Sequence, residues 1–275
     1  MKLIYCNRTS AESLALGQRV ARCLEAQGEA VTMDGNYAHT ADMIMVTGGD
    51  GTILRAVREF GLLGKPFWSV NGGHLGYLTE CDPDTMLESL SSVLAGDYAL
   101  ENRMVLHGEL SGDAAPPREF FAINEAALHR GGRMRGIKAR VRVDGLDVME
   151  ITGDGVLIST PTGSTAYNLS AGGPILMPEA EEFVITPVCP HSALRASLVV
   201  PGKSRIEVEL AIPPENQESG EPLPELIIDG AYRLSAQPGA VASYAAAPWK
   251  VKFVRTHRSS FYTRLQNRLA QRTEL

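Results

Sequence analysis

The chain has 275 residues, 44% of them hydrophobic and 21% charged, which is enough apolar matter for a core in each of two domains and excludes a disordered chain. A formal net charge of −6 lacks the basic excess that neutralises a phosphodiester backbone, so no nucleic-acid partner is expected. Cys6, Cys23, Cys81 and Cys189 stand far apart with no CxxC pair, and no signal-peptide or membrane-spanning apolar run occurs, which predicts a cytoplasmic protein with no membrane partner.

Lys2 to Cys6 is a short apolar run, and Ser10 to Gln27 follows with Leu16, Val20 and Leu24 at helical spacing before Gly28. That reads as strand, then helix. Ala30 to Met33 and Met43 to Val46 read as strands, the second broken by a glycine cluster and followed by a helix through Phe60. Pro66 to Val70 is the next strand, ending at Asn71-Gly72-Gly73, and Asp82-Pro83 reads as the N-cap and first turn of a helix reaching Leu94. Residues 1–98 thus form an α/β amino-terminal domain with a parallel sheet, and ligands are expected outside the carboxyl ends of its strands.

From residue 99 the texture is β-rich. Met104 to Leu110, Phe120 to Asn124, Ile137 to Val143 and Leu146 to Ile151 read as strands, the last two flanking the hairpin signal Asp144-Gly145. Further strands are Val156 to Ser159, Phe183 to Val188, Ser197 to Val200, Arg205 to Leu210, Glu225 to Ile228 and Trp249 to Val254. Residues 99–258 are therefore expected to form a sandwich-like domain, with Ile212 to Glu225 as an exposed loop. Phe261, Leu265 and Leu269 share one face of a closing helix over 259–275 that packs back on the body.

Three constellations carry chemistry. The first is Gly48-Gly49-Asp50-Gly51-Thr52, between a buried strand and a helix. Glycines let backbone N–H groups approach phosphates, and the helix N-terminus adds partial positive charge. Asp50 is out of place among phosphate-facing amides unless it serves a metal, a sugar hydroxyl or proton transfer; the plainer reading is a cap on the helix. Neither a GxGxxG nor a P-loop pattern is present. Asn71 to Tyr77, after the next strand, is expected to complete the same phosphate-binding crevice.

The second constellation is Asn124-Glu125, an amide and a carboxylate suited to ribose hydroxyls and ring nitrogens. The third runs from Gly153 to Pro174, where Thr162, Ser164 and Thr165 offer hydroxyls, Tyr167 a stacking face and Asn168 an amide. The plainer reading of that stretch is a capped short helix with Tyr167 in the core.

The ordered set GGDGT at 48–52, LGYL at 75–78, NE at 124–125 and DGVLISTPTGSTAYNLSAGGPI at 154–175 closely resembles the NAD kinase family. GGDGT is shared with diacylglycerol-type lipid kinases, so by itself it points to phosphoryl transfer without naming the acceptor; the TPTGSTAYNLSAGGP stretch is far more specific. The resemblance implies transfer of the terminal phosphoryl group of ATP, or of another donor, to the 2′-hydroxyl of the adenosine ribose of NAD, giving NADP. It also implies a homodimer or homotetramer. By motif match Asp50 is the catalytic carboxylate and also touches NAD, with Gly51 its phosphate-facing neighbour, Arg55 a nearby basic group, and Gly48, Gly49, Gly51 and Thr52 the phosphate-binding loop. Asn124 and Glu125 hold the adenosine part of NAD, Asp154 faces the nicotinamide end, and Thr165, Ala166, Tyr167, Asn168, Leu169 and Ser170 line the dinucleotide. Arg135 falls where the family has a basic or polar contact. Ala231, after Asp229-Gly230, replaces a polar residue that many bacterial members carry, and His74 occupies a variable position, read as an exposed turn residue.

No Asp, Glu or His cluster has metal-cage spacing, so a divalent metal, Mg²⁺, is expected to arrive with the triphosphate and no protein metal site is expected. The rival functions are a GGDGT-type lipid kinase, which would carry a GT-x-ND-like stretch where this chain has Asn71 to Gly76, and a non-catalytic NADP-binding sensor, which the intact Asp50 disfavours.

Overall fold

The computed structural model describes residues 1–73, 76–112, 116–191, 195–211, 221–256 and 260–266. The chain divides into two compact units, Met1–Arg103 with Trp249–Leu275, and Met104–Pro248.

The first unit contains β1 (Lys2–Cys6), α1 (Ala11–Ala26), β2 (Val31–Thr32), β3 (Met43–Thr47), α2 (Asp50–Phe60), β4 (Phe67–Val70) and α3 (Met86–Ala95). β1 pairs in parallel with β2 and β3, and β3 with β4. β3 and β4 are buried along their whole length because helices cover both faces, which is why they read as unbroken apolar runs. α1 starts where the Ser10 hydroxyl accepts the Ser13 N–H, and it turns Leu16, Val20 and Leu24 inward against Met45, Trp68 and Leu90. The Trp68 indole donates to the Ser89 hydroxyl at 2.9 Å, so the largest side chain of this core is also hydrogen-bonded. α3 begins at Met86 and not at Pro83, because Asp82 accepts the N–H groups of Asp84 and Thr85 in an Asx turn that holds the chain out of the helix.

The second unit takes in most of β5 (Ala99–Ser111), then β6 (Arg118–Ala122), β7 (Glu125–His129), β8 (Ile137–Val143), β9 (Leu146–Gly153) and β10 (Gly155–Ser159). It continues through the short α4 (Tyr167–Ser170), β11 (Glu182–Val188), β12 (Leu198–Pro201), β13 (Ile206–Leu210), β14 (Glu225–Ile228), β15 (Tyr232–Ser235) and β16 (Val241–Arg255) as far as Pro248. One antiparallel sheet has the order β12-β11-β10-β7-β14-β15; in the other, β16, β13, β8 and β9 are successive neighbours, with β5 beside β16 and β6 beside β5. Inward side chains of both sheets, among them Leu128, Ile158 and Ile185 from one and Val141, Val208 and Tyr244 from the other, share one buried cluster, which makes the unit a β-sandwich. The β8–β9 hairpin turns through Asp144 (φ 51°) and Gly145 (φ 83°), as Asp-Gly predicts.

β7 and β15 were not expected from the sequence. β7 is Glu-Ala-Ala-Leu-His, without the β-branched or aromatic residues that mark strands, and it forms because it is paired on both sides, by β10 and β14. Residues 261–266 are helical; the remainder of the closing helix, most of the 212–225 loop, His74 and Leu75 lie outside the described residues. Among the described residues no helix is long and apolar enough to cross a membrane.

Candidate active site

In the first unit the glycine turn joins β3 to α2. Its N-cap is Gly49, whose carbonyl accepts the N–H of Thr52 at 2.8 Å and of Ile53 at 3.2 Å, and no side chain caps the helix. Asp50 is therefore not a cap. Its carboxylate instead reaches the loop after β4, where Oδ2 accepts the Tyr77 N–H at 3.0 Å and Oδ1 the Leu78 N–H at 3.1 Å. Each oxygen keeps a further lone pair, so the group is oriented and still able to accept a hydrogen bond. Gly76 lies against that carboxylate: a Cβ there would stand 2.1 Å from Asp50 Oδ1, so only glycine lets the loop close on it. Of the Asn71 to Tyr77 segment, expected to complete a phosphate crevice, the described residues Gly76 and Tyr77 meet Asp50.

Thr52 is buried and Gly51 exposed at the start of α2, and exposed Arg55 reaches back to the Thr52 hydroxyl at 3.5 Å. Arg55, Glu59 and Phe60 of α2 wall a cavity of about 410 Å³ together with Tyr5 to Thr9 from the end of β1.

Behind Leu78 lies a buried ionic cluster that the sequence reading did not detect. Arg255, at the end of β16, donates Nη1 to the Leu78 carbonyl and to Glu80 Oε2, both at 3.2 Å, and its Nε and Nη2 to Glu101 Oε1 at 3.0 and 2.8 Å. Arg103 and Arg264 also face Glu101. Burial opposes ionisation of Glu101, but the Arg255 and Arg103 guanidiniums outweigh it and hold the carboxyl down at about 2. Burial lowers Arg103 to about 10, against the Glu101 charge, which leaves it cationic near neutrality.

In the second unit Asn124 and Glu125 sit where β6 ends and β7 begins. Asp229, in the left-handed region at φ 46°, turns its carboxylate onto this junction and accepts the N–H groups of Ile123, Asn124 and Glu125 at 2.8–3.3 Å. The Asn124 carbonyl accepts the Thr160 N–H at 2.9 Å, and Gly163 packs so tightly on it that a Cβ would lie 2.1 Å away. Glu125 is 5% exposed and its Oε2 has no hydrogen-bond partner among the described residues. Burial and the neighbouring Asp229 charge push its carboxyl up to about 8, partly offset by the Tyr167 N–H.

The Thr160 to Pro174 stretch divides its side chains between two tasks. Ser164 and Asn168 are fully buried and used internally: the Ser164 hydroxyl bonds the Pro161 carbonyl and the Leu176 N–H, while the Asn168 amide donates to Ser164 and Pro174 carbonyls and accepts from the Thr186 hydroxyl at 2.7 Å. Thr165 is buried on the Thr162 carbonyl. Tyr167 is 36% exposed, which removes the reading of it as a core residue, and Ser170 is exposed, with Ala166 and Leu169 half-buried. Burial raises the Tyr167 phenol, and Cys189, Asp154 and Glu125 raise it further. Asp154 pairs with Arg130 at 2.7 Å, and Arg135 is exposed on the turn before β8. Ala231 is exposed beside Asp229-Gly230. Asp229 and Arg130 are the residues sequence reasoning missed here; the Asp-Gly pair at 229–230 was the available signal.

The model of the ATP-NAD kinase N-terminal domain matches residues 36–98, and that of the ATP-NAD kinase C-terminal domain matches residues 123–256. An NAD kinase of Lachnoclostridium phytofermentans is 34% identical across 98% of this chain and 98% of its own length, and one of Carboxydothermus hydrogenoformans is 37% identical across 84% of this chain and 80% of its own. Among solved structures, yeast NADH kinase complexed with NADH superimposes with a TM-score of 0.86 at 22% identity, covering 98% of this chain and 87% of that one. An NAD kinase from Archaeoglobus fulgidus in complex with ATP gives 0.77 at 24%, covering 100% of both. The chain belongs to the NAD kinase family.

Proposed function

We propose that this protein transfers the terminal phosphoryl group of ATP to the 2′-hydroxyl of the adenosine ribose of NAD, giving NADP, with Asp50 as the group that orients or deprotonates that hydroxyl. The observation that carries the reading is the Asp50 carboxylate itself, placed in a glycine turn yet free of any capping task and aimed by two backbone N–H groups. In-line phosphoryl transfer depends on positioning and electrostatics, and a fixed acceptor beside the turn and the N-terminus of α2 meets both needs. Arg8 and Arg55, with Glu59 beside them, line the cavity along α2 and can meet an anionic donor, and the relatives bound to NADH and to ATP support this pair of substrates.

On this reading Asn124 and Glu125 hold the adenosine moiety, Tyr167 and Asp154 the remainder of the dinucleotide, and Arg135 a further contact. Mg²⁺ is taken to enter as part of the triphosphate substrate, since it keeps several of its waters and is commonly held by substrate phosphates. The cytoplasm and a homodimeric or homotetrameric assembly complete the proposal.

Purified protein incubated with NAD, ATP and Mg²⁺ tests it by the NADP formed, with diacylglycerol and sphingoid bases as competing acceptors. NADP with no lipid phosphate is the expected result; lipid phosphate with no NADP would assign the glycine turn to the lipid-kinase class, and NADP bound without turnover would make the chain a sensor.

A further inference from the structure

We infer that Arg255 is a positioning residue for Asp50, acting through the backbone of Leu78; the inference rests on the catalytic reading of Asp50. Leu78 is held from both sides. Its N–H donates to Asp50 Oδ1 at 3.1 Å and its carbonyl, on the next peptide group, accepts Arg255 Nη1 at 3.2 Å and the Ser69 hydroxyl at 3.4 Å, so the guanidinium helps to fix the residue whose N–H orients the carboxylate. The rest of the turn is pinned as well: Gly76 N–H donates to the Thr79 hydroxyl at 2.7 Å, and Glu80 Oε1 accepts both the N–H and the hydroxyl of Thr256 at 2.7 Å.

Three properties make Arg255 more than a bystander. Its side chain is 10% exposed and that of Glu80 3%, so the pair lies in a low dielectric where a hydrogen bond is strong and poorly replaced by water. Its planar fork makes four hydrogen bonds, to a carbonyl and two carboxylates, one more than the three N–H groups of an ammonium can supply. Among the described residues Arg103, Arg255 and Arg264 converge on Glu80 and Glu101, so Arg255 belongs to a network and not to an isolated pair, and the Asp50 charge is felt at Arg264.

The test is a double-mutant cycle of Arg255→Lys with Asp50→Asn, read as kcat and as KM for NAD, with circular dichroism to establish folding. Lysine keeps the charge and loses the fork. The expected result is a fall in kcat of about 10–100-fold, the scale of a small misplacement of a reacting group, with KM changed by no more than about threefold. In the Asp50→Asn background the same change is expected to alter the residual rate by less than about twofold, since residues acting as one unit are non-additive. A full-sized additional loss in that background, an unchanged kcat in the single variant, or a loss confined to KM overturns the inference. Asp50→Asn with wild-type turnover overturns the Asp50 reading itself, and is recognised from that variant alone. Should Arg255→Lys fail to fold, Glu80→Gln, which frees the guanidinium from one carboxylate while keeping an acceptor for Thr256, runs the same cycle with the same criteria.

Discussion

Glu125 and Asp229 are neighbouring carboxyl groups with opposite surroundings: Asp229 accepts three backbone N–H groups, whereas Glu125 is buried with one oxygen unpaired. Burial and the Asp229 charge raise the Glu125 carboxyl to about 8, so it holds its proton at neutral pH in the free protein. Glu125 therefore offers a ligand a hydrogen-bond donor as well as an acceptor.

A pH dependence follows. The folded value lies above that of an unfolded glutamate, so the folded chain binds the extra proton, and the stabilisation from this group is fully present below the ordinary carboxylate range and lost as pH rises through about 8. Thermal unfolding followed from about pH 5 to about pH 9 is expected to show the wild type losing stability relative to Glu125→Gln as pH rises. Parallel curves for the two proteins would mean that Glu125 is ionised throughout.

Replacing Asn124 and Glu125 together with Ala is expected to weaken NAD binding by about ten- to a hundredfold for each lost hydrogen bond, with the fold intact because Asp229 holds the backbone there and not these side chains. Calorimetric titration with NAD checks this, and an unchanged dissociation constant removes both residues from the site.

Asn168→Ala tests the other task of the Thr160 to Pro174 stretch. It deletes three internal hydrogen bonds at a fully buried position, and leaving such groups unsatisfied costs about 2–4 kcal/mol. Urea unfolding is the measurement; a loss below about 0.5 kcal/mol would mean that the loop holds its shape without this amide.

The alternation of strands and helices before residue 98 and the sandwich after it were legible because hydrophobic period and glycine punctuation are local signals. Motif order pointed to Asp50, Asn124, Glu125 and Tyr167 for the same reason. What holds them was not legible: Leu78 reaches Asp50 across 28 positions, Asp229 reaches Asn124 across 105, and Arg255 reaches Leu78 across 177. Contacts of that range leave no periodic trace in a single sequence. β7 escaped for a related reason, since Ala126 and Ala127 are made strand by their neighbours on both sides and not by their own preference.

Gly76→Ala sets a Cβ 2.1 Å from Asp50 Oδ1, so the loop or the carboxylate must shift. A drop in kcat of about 10–100-fold is expected, with little change in KM for NAD. Steady-state kinetics on the folded variant decide it, and full activity would mean that the position of Asp50 does not limit the reaction.

The most direct measurement is the turnover of Asp50→Asn with saturating NAD and MgATP. Asparagine keeps the size of the side chain and its acceptor for the Leu78 or Tyr77 N–H, and α2 is capped by Gly49, so the protein is expected to fold and to bind NAD no worse. If Asp50 accepts the proton of the ribose hydroxyl, kcat falls by about 10²–10⁴-fold. A folded variant that forms NADP at close to the wild-type rate would contradict the account and leave Asp50 as a structural tie between α2 and the loop after β4.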